Sequence, residues 1–317
     1  MVKRNQPLRK FIINLKWDMR TIQVLLVLVI LLSLACEKII TNSIPDSSEG
    51  FSIIFDDGYI ISHGDIDYYD FSTHLIYLRK NNPILTDVKG ITGFTVLADG
   101  LEIYTGQTIP GYSSYLPAGP VIHCCPSFFP EYIVPIDFIG IVDSLGNVDP
   151  DPRGDIRIVE ALKKYDQFRL GLGCEIKSVD YSSNTNVTIT LNVFNQDSNN
   201  YYILDPDKMG IGLFHYFTNG LFISDVSNKK TYTHRIQTVQ PEPWNTWEFK
   251  WLSLIKSFGS KTFNITYEDF EDILPGQYSA GFGYPGLGYQ VEKEDIQQIN
   301  GSIWLGELYV HKDITIE

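Results

Sequence analysis

The chain has 317 residues, with 25 Lys and Arg against 38 Asp and Glu and a formal net charge of −13. So acidic a surface repels the phosphates of nucleic acid and anionic lipid headgroups, which excludes nucleic-acid binding as a function. The length suffices for two ordinary domains.

The first feature in chain order is an apolar run, residues 24–32, followed by Ser33-Leu34-Ala35-Cys36 and then polar residues. A spanning helix needs about 20 apolar residues. This run stops after roughly a dozen, which fits the h-region of a secretory signal. Ser33-Leu34-Ala35-Cys36 resembles the lipobox of bacterial lipoproteins, although leucine stands at positions 32 and 34 and not third before the cysteine. The resemblance implies that residues 1–35 are a signal peptide and that Cys36 takes lipid after cleavage. Met19, followed by Arg20 and the apolar run, is the expected start of translation. Two or more acyl chains give stable anchoring, and Glu37 resembles the outer-membrane sorting choice at the second mature position. Residues 36–50, rich in Ser, Asn, Asp and Pro, read as a tether. The first 35 residues hold six of the bases and one acid, so the remainder carries 19 bases against 37 acids.

The remainder reads as mostly β: an N-terminal β-rich domain with one short helix over residues 51–167, then a β-sandwich over residues 168–317. Residues 72–78 are a strand candidate. Residues 94–98 and 101–105 flank Asp99-Gly100 and predict a hairpin, because Asp-Gly supplies the positive φ of a type I′ turn. The many prolines of residues 106–152 predict short edge strands and loops. Ile158, Val159, Leu162 and Tyr165 fall at helical spacing, with Lys163 and Lys164 at the end where cations suit the dipole, and predict a helix over residues 156–165.

In the second half, residues 172–180 and 187–194 are strands, the latter alternating strictly. Strands are also expected at residues 201–204, 212–217, 221–224, 262–267, 274–282 and 302–310. The polar turn before residue 201 and the later Leu274-Pro275-Gly276-Gln277-Tyr278 resemble the Ig-like modules of bacterial envelope lipoproteins, and loosely the proteinase-inhibitor modules of that fold. The resemblance implies an Ig-like sandwich, which by itself fixes no function.

Several residue groups are candidate sites. Cys124, Cys125 and Cys174 permit a disulfide in an oxidising envelope, joining Cys174 to one of the adjacent pair. Zinc held with His123, or buried free thiols, are the alternatives. Asp149, Asp151, Asp155 and Glu160 stand at positions 1, 3, 7 and 12 of an EF-hand-like calcium spacing with Gly154 at position 6, but Arg153 occupies a ligand position. The competing reading is a helix start with Asp151 as N-cap and Pro152 at the first helical position. His63, Asp65, Asp67 and His74 are a weaker metal set, against a turn entering a strand. Trp244, Trp247 and Trp251 fall at spacings of three and four, which places them on one helical face for a sugar ring or a protein partner, or simply in the core. The acid pairs Glu268-Asp269 and Glu271-Asp272 read as surface solvation.

No nucleophile elbow, phosphate-binding glycine loop or internal repeat is present. The sequence predicts no enzyme and no obligate cofactor, with calcium the one candidate ion. The leading expectation is an outer-membrane lipoprotein acting as a binding or assembly module for another envelope protein. A glycan-binding surface lipoprotein is the alternative, and a protease inhibitor a third.

Overall fold

Asp99 and Gly100 both adopt positive φ, 49° and 74°, the geometry a type I′ turn demands. They join two of the longer strands of the N-terminal half. The computed structural model describes residues 49–81, 92–124, 129–140, 149–183, 185–225, 230–288 and 291–317. Residues 1–48, with Cys36 and most of the stretch expected to be a tether, and Cys125 lie outside the described residues.

The N-terminal strands are β1 (Phe51–Phe55), β2 (Ile60–Ile61), β3 (Ile66–Asp70), β4 (Leu75–Leu78), β5 (Thr92–Ala98), β6 (Leu101–Pro110), β7 (Gly119–Cys124), β8 (Ile133–Pro135) and β9 (Asp137–Ile139). A 3-10 turn, Pro152–Gly154, leads into α1 (Ile156–Lys163), and β10 (Phe168–Arg169) follows. Six strands form one sheet in the order β2-β1-β5-β6-β7-β9, and four form another, β10-β3-β4-β8. Phe51, Ile53 and Phe94 from the first sheet meet Tyr69 and Ile76 from the second, and Ile158 and Leu162 of α1 join them. Burying such side chains contributes roughly 1.5–3 kcal/mol each. That apolar stripe fixes α1, whose helical spacing was legible in the sequence.

The second half holds β11 (Leu172–Ser183), β12 (Asn186–Asn195), β13 (Tyr201–Leu204), α2 (Pro206–Met209), α3 (Ile211–Phe214), β14 (Leu221–Asp225), β15 (Lys230–Thr233), β16 (Leu252–Ile255), β17 (Ser260–Tyr267), β18 (Gly276–Tyr284), α4 (Lys293–Ile296), β19 (Gln297–Gln298), β20 (Gly301–Ile303) and β21 (Leu308–Ile316). The sheets β11-β12-β17 and β15-β14-β18-β21 share one apolar core, the sandwich the sequence predicts. In β12 Val187, Ile189, Leu191 and Val193 are buried, while the opposite face carries Thr188 and Thr190, bonded across to Thr266 (3.0 Å) and Asn264 (2.8 Å). The period of two thus sorts core from solvent. A further sheet, β16-β13-β20-β19, adds to the sandwich.

Two expected strands differ. Residues 212–217 enter helical turns: Asp205 caps α2 by accepting from Asp207 N, Pro206 follows at the first position, and α3 comes next. A short apolar run does not by itself distinguish strand from helix, and α3 starts at Gly210 without a side-chain cap. Residues 302–310 divide between β20 and β21, which lie in different sheets.

The two halves meet along polar and apolar contacts. Residue 168 lies in β10, which pairs in parallel with β3. Trp304 Nε1 donates to the buried Asp70 Oδ2 at 2.9 Å. Tyr132 Oη donates to Val291 O at 2.5 Å, and Lys293 Nζ donates to Leu78 O. Leu75, Tyr77, Tyr132 and Ile133 belong to the core of the second half. Gly306 sits so close to Thr73 that an added Cβ would lie 2.4 Å from its Cγ2.

Candidate functional site

The acidic segment resolves into two arginine-clamped caps. Asp151 Oδ1 accepts from Arg153 N (3.0 Å), and the Arg153 guanidinium grips both Asp151 oxygens while Nη1 donates to Ile136 O. Asp155 repeats the device with Arg157: Oδ1 accepts the backbone N–H and Nε, each at 2.9 Å, and Oδ2 accepts Nη2 at 2.7 Å. Asp155 thereby caps α1, and these bonds hold its pKa down to about 2. Burial pushes Asp151 up, but the Arg153 bonds outweigh it and leave the group below its ordinary value. Asp149 and Glu160 are exposed. Of the four calcium candidates, the structure therefore spends two on guanidinium groups. Among the described residues no three His, Cys, Asp or Glu gather where a metal ion would sit.

The other candidates are also dispersed. His63 stacks on Tyr165, centroids 4.2 Å apart. Asp65 accepts from Ser62 N and Oγ within a turn. Asp67 is exposed, and His74 stands apart at the start of β4. Cys124 is buried in the core of the first half, with His123 beside it paired to Asp137 at 3.4 Å. Cys174 packs against the core of the second half as a free thiol, its pKa pushed up to about 12 by burial and by Glu175.

The tryptophans do not share a helical face, because the segment folds as turns with a short 3-10 helix, Phe249–Trp251. Trp244 is 53% exposed, Trp247 rests on the edge of the core and Trp251 is 5% exposed within it.

Two features gave no sequence signal. The loop between β6 and β7 displays Tyr112, Tyr115 and Leu116, which are 80%, 53% and 61% exposed. Its base is fixed: Gly111 N donates to Cys124 O and Ser113 N to Pro110 O, both at 2.8 Å. Ser113 Oγ accepts from Tyr115 N at 3.1 Å. In the sequence these residues read only as a proline-flanked loop, since exposure is a property of the fold.

The second is a cleft of roughly 440 Å³ where the two halves meet, lined by Thr73, His74, Phe129, Asp137, Arg153 and the Glu307–Tyr309 strand start. His74 holds a left-handed backbone, φ 54°, uncommon for any residue but glycine and a frequent mark of functional positions. Its Nδ1 meets Tyr69 Oη at 2.9 Å. Burial first, and Arg153 second, lower its pKa to about 4, so the ring is neutral near pH 7. Asp137 and Glu307 stand at the mouth. Loss of hydration raises both, offset at Asp137 by His123 and Arg153 and at Glu307 by a hydrogen bond with Tyr309. The Tyr309 hydroxyl is pushed up to about 12. No sequence motif joins residues 74, 137, 153 and 307; only the meeting of the halves does.

A third titratable group is structural. His215 Nδ1 donates to Ile211 O (2.9 Å) and Nε2 accepts from Tyr267 Oη (3.1 Å), which in turn accepts Leu221 N–H. His234 Nε2 donates to Asn219 O and Nδ1 accepts Ile236 N–H. Every ring nitrogen of this pair is spent on the fold.

No family model and no curated protein matches the chain. Among solved structures it is similar to a β-glucosidase from Kluyveromyces marxianus in complex with glucose, at 11% identity and TM-score 0.21, covering 46% of this chain and 14% of that one. A selenomethionine-labelled form of that β-glucosidase gives 10% identity and TM-score 0.18, covering 45% and 14%. Likenesses so distant carry no argument about fold or function.

Proposed function

We propose that the chain is a lipid-anchored, non-catalytic binding module of the outer membrane, held through Cys36, that engages another envelope protein. The observation that supports this reading is the loop carrying Tyr112, Tyr115 and Leu116, three large side chains exposed within five residues on a base pinned to β7. Tyrosine supplies wide contact area at little conformational cost and is enriched among binding hot spots. The pinned base means that little ordering entropy is lost on docking. Trp244 is also exposed, but Trp247 and Trp251 pack against or within the core.

The test is a crosslinking pull-down of the tagged full-length protein from intact cells, with mass spectrometry. One envelope protein should be enriched in near-equal amount, and Tyr112→Ala combined with Tyr115→Ala should reduce its recovery at least tenfold while Trp244→Ala retains it. No enriched protein, or recovery indifferent to both tyrosines, overturns the reading.

A further inference from the structure

We propose that the cleft between His74 and Glu307 is a binding site for a neutral polyhydroxylated ring, a sugar residue. This site is separate from the tyrosine loop and does not depend on the docking reading.

The first argument is the balance of donors and acceptors. Nδ1 of His74 faces the Tyr69 hydroxyl at 2.9 Å. A neutral imidazole carries one donor and one acceptor nitrogen, and His74 stands in the cleft wall. Asp137 and Glu307 offer carboxylate oxygens, and Tyr309 offers a hydroxyl. A sugar hydroxyl donates and accepts at once, so a wall that mixes both roles matches it. A wall of donors alone would select anions instead.

The second argument is charge. Arg153 is the cleft's cation, and its guanidinium is held by both oxygens of Asp151 and by Ile136 O. Its charge is cancelled locally, and the fork is not presented to a phosphate or carboxylate ligand. An anionic ligand would also face two carboxylates. No three His, Cys, Asp or Glu converge among the described residues, so a metal ion lacks a ligand set here.

Shape supplies the third. Phe129 and Tyr309 line the cleft with aromatic side chains suited to the C–H surface of a pyranose, and Leu75 and Leu308 add apolar wall. The volume falls within the range of ordinary small-ligand sites. The two walls come from different halves of the chain, a common place for a ligand site. His74 holds its left-handed backbone, φ 54°, in this wall, a conformation that persists only where the surrounding structure over-determines it.

The experiment is saturation-transfer NMR and calorimetry on the full-length lipidated protein in a detergent without a sugar headgroup. The probes are the methyl glycosides of glucose, galactose, mannose and N-acetylglucosamine, with cadaverine as a cationic control. At least one glycoside should bind. Glu307→Gln and Asp137→Asn should each weaken that binding about tenfold or more without moving the melting temperature, while Tyr112→Ala leaves it unchanged. If Glu307→Gln fails to fold, Asp137→Asn and Tyr309→Phe carry the same prediction at the exposed mouth. Binding of no glycoside, binding indifferent to these variants, or binding of cadaverine in preference to every glycoside overturns the proposal.

Discussion

His74 and His215 show how burial sets a residue's chemistry against its intrinsic preference. Both are neutral in the folded chain with pKa values of about 4, lowered chiefly by loss of hydration. An unfolded imidazole titrates near about 6.5. Above that pH both states are neutral and the full stability is present. As pH falls from about 6.5 towards 4 the unfolded chain takes up protons first, so stability is lost across that window. Urea unfolding midpoints measured from about pH 8 down to 4 should therefore decline, most steeply below about 6.5. Replacing His215 with Gln should flatten part of the decline; a midpoint unchanged across the range would contradict these pKa values. Neither histidine could be assigned this role from sequence, because the groups that desolvate each ring come from distant segments of the chain.

At the scale of elements, what was legible depended on whether one local rule decided the outcome. The hairpin at Asp99-Gly100 and the alternation of β12 each rest on a pattern of period two plus a turn residue, and both were readable. The helix α1 rests on spacing and a cap. There the capping aspartate mattered more than its resemblance to a calcium ligand: Asp155 accepts from Arg157 N and starts the helix. Asp155→Ala should cost about 1 kcal/mol, measured by chemical denaturation. A loss near zero would mean that the cap is redundant with packing of Ile158 and Leu162. The apolar segment at residues 212–217 was misread as a strand because the run is too short to show a period, while of the tryptophans, which the spacing left between a helical face and the core, Trp251 lies in the core and Trp247 packs against it. The cleft had no local signature at all, since His74, Asp137, Arg153 and Glu307 are united by topology rather than by sequence distance.

At the scale of the molecule, the halves are joined where apolar and polar contacts coincide. Asp70 is buried, and burial raises its pKa while hydrogen bonds from Ser72 and Trp304 pull it back. Removing the indole donor leaves Asp70 Oδ2 short of a partner in a dry site, which costs about 1–3 kcal/mol. Trp304→Phe should lower global stability by that amount, and hydrogen exchange should show β3 and β13 losing protection together. Loss confined to β13 would show that the halves open independently.

Gly306 carries a consequence for how such a chain changes over generations. Its Cα packs on Thr73, and an added methyl group would collide with that side chain. A side chain at position 306 is therefore tolerated only after residue 73 has shrunk. The two halves are bound to drift as one lineage, and a half exchanged with a foreign counterpart would arrive with the wrong partner at this contact.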